Sequence, residues 1–312
     1  MGAGNNKTNK TGRQAKITPK RTTLLQKLAY IARPFVLYML VKTAAMFILA
    51  IAVPALPIAG MTAWVENHAH QLSAVVNGVA SLIAVGFLLN DFLIEASTDG
   101  EIDIDQSVPR QFLGFMKTGF LGKRTARSMT GLALCVLLGV AASLALNIWF
   151  ELLAGMLSGA GNPVLDSEKY QAVEEIQYSV PIGLGLVLYG IISPAVEEMV
   201  FRGVLYSRMK RFYSVPRAVV ASALLFGVFH ANLPQFLYGT AMGVLMALCY
   251  EYAGCFAAPV LMHMSANIFV FLMSQTAAWT AVLATPVWGV VAAALSVAVF
   301  WAVRECNVKF KQ

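Results

Sequence analysis

The chain has 312 residues, of which 58% are hydrophobic and only 12% charged, and its net charge is +7. A water-soluble domain carries roughly 25% charged residues, so this composition excludes one and leaves a membrane protein. The positive charge does not mark a nucleic-acid-binding protein, because it lies in short clusters between long apolar stretches rather than on one polar face.

Residues 1–33 hold eight of the 23 Lys and Arg and no acidic residue, the pattern of a basic cytoplasmic tail. The apolar run that follows is too long, and too continuous with later ones, for a cleaved signal peptide. A lipid span needs about 20 mostly apolar residues. Such stretches recur at 34–58, 73–94, 128–150, 178–200, 217–233, 235–252, 256–275 and 280–303. They predict an all-α polytopic bundle of about eight transmembrane helices over 34–303, with a cytoplasmic tail at 304–312. No internal repeat is present, and no length remains for a separate soluble domain.

The basic residues orient these spans. Segments 1–33, 95–127 and 201–217 and the C-terminus hold eight, five, five and three of them, against Lys169 alone on the other side. Both termini are therefore expected in the cytoplasm. Lys42 lies within the first span, where its long side chain is expected to reach the interface. Segment 95–127 opens acidic (Asp99, Glu101, Asp103, Asp105) and then becomes basic and aromatic. Its Arg110, Phe112, Phe115, Lys117 and Phe120 predict a helix lying in the membrane interface. Segment 159–177 reads as a polar outer loop with a short helix, and His68 and His70, beside Glu66, as solvated loop residues. The four cysteines form no CxxC pair, and Cys135 and Cys249 fall in apolar stretches, where cysteine acts as a small hydrophobe.

Between Gln177 and Tyr250 the only acidic residues are Glu197 and Glu198, within an otherwise apolar helix. Carboxylates there are costly unless paired or functional. Arg202, four residues after Glu198, can pair with it across one helical turn; Glu197 then lies on another face, about 100° away. His230 follows Phe226 by one turn, and His263 precedes Asn267 by one turn. The connection after the fourth span turns near Tyr213 and Ser214, with Glu197 and His230 each sixteen residues from it. In an antiparallel hairpin both sit at one level, roughly 24 Å from the tip, and His263 can reach a similar depth. One such histidine, or one Glu–Arg pair, is usually structural. Three motifs in order on apolar helices point instead to a shared site.

The motifs EEMVFR (197–202), FGVFH (226–230) and HMSAN (263–267) resemble those of the CPBP family, the CAAX proteases and bacteriocin-processing enzymes also called Abi proteins. The resemblance covers roughly 178–275, which would be the protease-like core. It implies an intramembrane endopeptidase whose site opens to the cytosol. Glu197 would be the general base that activates water, with His230 holding or polarising that water. Glu198 and Arg202 would set the geometry, and His263 and Asn267 would stabilise the oxyanion. These residue types suit the reaction, since water needs a base to attack an amide and an imidazole and an amide N–H can stabilise the developing oxyanion. Ser193 and Ser265 are nearby but carry no nucleophile motif. Glu197, His230 and His263 also match the ligand count of a catalytic zinc site, so metal-free and zinc-dependent chemistries both stay open. The expected substrate is a membrane-associated or lipidated peptide or protein, in a bacterial plasma membrane or a eukaryotic endoplasmic reticulum. An ion-coupled transporter and a non-catalytic bacteriocin-immunity protein with the same fold are the alternatives.

Overall fold

A computed structural model describes residues 23–96, 107–122, 126–158, 168–276, 278–283 and 285–308. The acidic cluster at 99–105, most of the basic N-terminal tail and the last four residues lie outside them. Among the described residues there is no strand, and the chain is an all-α polytopic membrane protein.

Among the described residues, seven helices are long and apolar enough to cross a membrane. They are α1 (Leu24–Ala52), α3 (Ala69–Ala96), α5 (Ala126–Ser158), α7 (Ile182–Met209), α9 (Leu233–Ala253), α10 (Ala257–Ser274) and α12 (Pro286–Val308). Their outer surfaces expose large apolar side chains such as Leu40, Phe47, Phe87, Val297 and Trp301, which suits lipid rather than water. The predicted fifth span, 217–233, is instead the 15-residue helix α8 (Val215–Phe229). At 1.5 Å per residue it reaches only about 22 Å, and it stops at the site. Short helices α2 (Met61–Asn67), α4 (Val108–Gly114), α6 (Glu168–Tyr178) and α11 (Ala278–Leu283) complete the set.

Two helix boundaries differ instructively from expectation. α1 begins ten residues before the predicted span, because Thr23 and Gln26 form a reciprocal capping box that starts it at Leu24; Pro34 is carried inside the helix. α7 runs nine residues past its predicted end at 200, carrying Arg202 and Arg208 with it. Those charges conceal the span from a hydropathy reading, yet both side chains are buried against other helices.

Contacts place the start of α1 and the end of α12 at one end of the bundle. Tyr30, near the start of α1, receives Arg208 Nη1 on its carbonyl oxygen at 2.9 Å, and Tyr252 at the end of α9 packs on Phe300 of α12. Arg208 also pairs with Asp91 and, at 3.2 Å, with Glu95, while Lys210 pairs with Glu251. This network ties α1, α3, α7 and α9 together. α4 lies at that end too, its Phe112 packed against the cluster in which Phe115, just past the helix, stands edge-on to Phe92. At the opposite end, α6 bridges the start of α3 and the end of α10. His70 Nδ1 meets Ser179 Oγ at 2.9 Å, and Gln275 Nε2 donates to the Tyr178 carbonyl oxygen at 3.3 Å. His68 stacks on Trp64. All four cysteines are free, with Cys135, Cys249 and Cys255 buried.

Candidate active site

The site begins with an irregularity in α7. Its segment Ser193–Glu198 is α-helical, but the flanking Leu186–Ile192 and Met199–Tyr206 are π-helical, with wider turns. Pro194 has no N–H to donate, and in the i→i−5 pattern its missing partner is the Tyr189 carbonyl oxygen. Asn267 Nδ2, reaching across from α10, donates to that carbonyl oxygen at 3.1 Å. A neighbouring helix thus satisfies the freed backbone group, as a membrane interior requires. The same bond fixes the Asn267 amide and leaves it one further N–H.

Glu198 is fully buried, as is Arg202. Arg202 Nη1 donates to Glu198 Oε1 at 2.8 Å, Nη2 donates to the Gly243 carbonyl oxygen at 3.0 Å, and the guanidinium lies 4.5 Å from the Phe226 ring centroid. A methyl group at Gly243 would stand 3.2 Å from Arg202 Nη2 and 3.0 Å from the Ala223 backbone, so glycine makes room for this contact. Glu198 Oε1 is also 2.9 Å from His263 Nδ1. A carboxylate only accepts, so Nδ1 carries the proton and His263 Nε2 is turned toward Glu197, whose Oε2 lies 3.8 Å away. Glu197 Oε1 accepts a 2.6 Å hydrogen bond from Ser193 Oγ.

His230 caps the C-terminal end of α8. Its Nδ1 donates to the Phe226 carbonyl oxygen at 2.9 Å, leaving Nε2 as the free nitrogen. The next residue, Ala231, has φ +57°, a left-handed backbone seldom adopted by a residue with a Cβ. Asn232 then caps α9 by accepting from the Gln235 N–H at 2.9 Å. The tight α8–α9 approach depends on Gly227, where a Cβ would stand 2.6 Å from the Phe236 carbonyl oxygen. Phe226 joins the parts, its ring edge-on to those of His230 and His263 at 5.0 and 5.6 Å.

A cavity of about 300 Å³ gathers Glu197, His230, His263 and Asn267 on its wall. Glu198 and Arg202, the other two residues singled out in the sequence, lie beneath that wall. Four contributors were not legible as site residues: Ser193 on Glu197, Gly243 under Arg202, Pro194 behind Asn267, and Lys42, which lines the same cavity. Pro194 carried a usable signal, a proline inside an apolar helix three residues before Glu197.

The cavity runs toward the end bearing α6, which contributes Val173, Glu174, Gln177 and Tyr178 to its lining. Burial, reinforced by Glu174, holds the Tyr178 phenol above its usual pKa, keeping it a neutral donor. Toward the start of α1, Val200, Phe201, Arg202, Val204, Leu205 and Tyr206 are all at most 1% exposed. Packing around Met199–Tyr206 is tight on that side, and the cavity lining reaches to α6 on the other.

Among the described residues, no three His, Cys, Asp or Glu side chains stand close enough together to hold a metal ion. His263 Nδ1 is taken by Glu198 and His230 Nδ1 by a carbonyl oxygen. Each histidine leaves Nε2 as its free nitrogen, an arrangement that a metal-ligating histidine would also show.

Residues 180–269 match the family model described as Type II CAAX prenyl endopeptidase Rce1-like, a segment that contains every residue of the motif set. This segment is therefore similar to the CAAX endopeptidases of the CPBP family. Among its relatives, the "Putative membrane peptidase YdiL" of Bacillus subtilis (strain 168) is 28% identical over 66% of this chain and 72% of the relative. The "Membrane-embedded CAAX protease MroQ" of Staphylococcus aureus (strain USA300) is 30% identical over 31% of this chain and 41% of the relative. That second match spans less than half of the relative's length. No solved structure matches the chain significantly.

Proposed function

We propose that this chain is a CPBP-type protease and hydrolyses a peptide bond of a membrane-associated or lipidated substrate, using water activated by Glu197. The observation that carries the reading is one carboxylate, held by Ser193 at 2.6 Å, facing a histidine that a second, fully buried carboxylate orients at 2.9 Å. Glu197 removes a proton from water as its oxygen attacks the scissile carbonyl carbon. His230 Nε2, its other nitrogen committed to Phe226, accepts a hydrogen bond from that water. The remaining N–H of Asn267, together with His263 when protonated at Nε2, donates to the oxyanion. Glu198 beneath His263 stabilises the imidazolium, the role a buried carboxylate plays behind a catalytic histidine. When the C–N bond breaks, Glu197 returns its proton to the departing amine, so the products are a carboxylic acid and an amine.

The match of residues 180–269 to a CAAX endopeptidase model favours this reading over an ion-coupled carrier or a non-catalytic immunity protein. The cavity gives the substrate its path from the end bearing α6; with the basic segments cytoplasmic, that end faces away from the cytosol. Comparative proteomics of membranes bearing wild-type or Glu197→Ala protein tests the reaction. New peptide termini are expected with the wild type and absent with the variant at equal expression. Equal cleavage by both overturns the mechanism.

A further inference from the structure

Lys42 has no evident reason to be where it is. It sits in α1, a helix without acidic residues, eighteen positions after Leu24 and ten before Ala52, too deep for its ammonium to reach either helix end. The ammonium points inward, over the Phe229 ring at 5.5 Å and the Tyr38 ring at 6.0 Å, and lines the cavity that holds Glu197. Among the described residues it has no ion pair. The buried cations elsewhere are all matched: Arg202 by Glu198, and Arg208 by Asp91 and Glu95. Glu197 does not fill the gap, since its oxygens are turned to Ser193 and His263. An unmatched cation at membrane depth is costly and marks a functional position.

We infer that Lys42 anchors the substrate by pairing with one of its carboxylates. This rests on the protease reading and narrows its substrate class to peptides with a negative charge close to the scissile bond. The chemistry favours a carboxylate over a phosphate. The cavity offers one ammonium and no arginine fork to hold a dianion. The remaining polar lining is amide (Asn77, Asn147, Gln177, Gln235) and phenol (Tyr189, Tyr238), suited to peptide backbone, with Glu174 at the α6 end. The carboxylate comes from a free C-terminus or from an Asp or Glu side chain.

Binding separates this proposal from the reaction itself. Full-length Glu197→Gln protein in lipid nanodiscs is titrated with a dansylated apolar octapeptide in three forms: free acid, C-terminal amide, and amide with one internal Glu. One charged form is expected to bind about tenfold more tightly than the neutral amide, the scale of a hydrogen bond to a charged group, and the form that does identifies the source. Adding Lys42→Met should remove the preference and Lys42→Arg should keep it, with the thermal melts of both confirming an intact fold. Equal binding of all three forms, no binding of any, or a preference that survives Lys42→Met overturns the inference. Loss of the protease reading would show instead as unchanged cleavage by Glu197 variants.

Discussion

Adjacent glutamates in one helix have unlike surroundings and therefore unlike tasks. Glu197 faces the cavity with its side chain 13% exposed, whereas Glu198 is fully enclosed between Arg202 and His263. Glu197→Gln should lower turnover by about 10²- to 10⁴-fold, the scale of a lost general base, while its melting temperature stays near that of the wild type. Glu198→Ala leaves the Arg202 charge buried without its partner, which costs about 3–5 kcal/mol, and frees His263 to rotate. It should lose stability and turnover together. Side-by-side melts and turnover rates decide the matter; a Glu198→Ala protein that melts like the wild type would remove the buried pair from this account. The Glu198–Arg202 pair was readable from i,i+4 spacing, since both residues share one helix. The bond from Glu198 to His263 was not, because 65 residues separate them and only the packing of α10 on α7 brings them together.

At the scale of elements, the site depends on α7 and α8 being irregular. α8 ends at the cavity wall, so the backbone turn Ala231–Asn232 lies beside the chemistry and delivers His230 from a helix terminus. Glu197 and His230, predicted at equal depth from hairpin geometry, do line one cavity. The shortness of α8 was hidden because the apolar pattern continues through Leu233 into α9. Gly227 sets the spacing of the two helices. Gly227→Ala should force α8 and α9 apart, at about 1–3 kcal/mol for an overpacked contact, and displace His230. Turnover should drop well below that of Gly86→Ala, whose added methyl meets nothing within 4 Å. Equal turnover of the two variants would mean that this contact does not position His230.

Across the whole molecule, the bundle is tight at the end where α1 starts and hollow at the end holding α6. The ion pairs of Arg208, Lys210 and Arg211 with Asp91, Glu95 and Glu251 belong to the tight end. The sidedness proposed for the cavity can be measured in intact cells. In a Cys306→Ser background, a cysteine at Gln177 should react with a membrane-impermeant thiol reagent added outside, and a cysteine at Tyr213 only after the cells are opened. The reverse pattern would place the cavity mouth on the cytoplasmic side.

The sequence alone determined the class of molecule, because lipid demands long apolar helices and composition reports that demand directly. It also singled out Glu197, Glu198, Arg202, His230, His263 and Asn267, since polar groups within apolar helices are too costly to occur idly. What only the tertiary structure decided is how those groups divide the work, where the cavity leads, and that Lys42 faces inward rather than toward the interface. Each of these depends on which helix packs against which and at what rotation. Hydropathy and spacing describe helices one at a time, and carry no record of their partners.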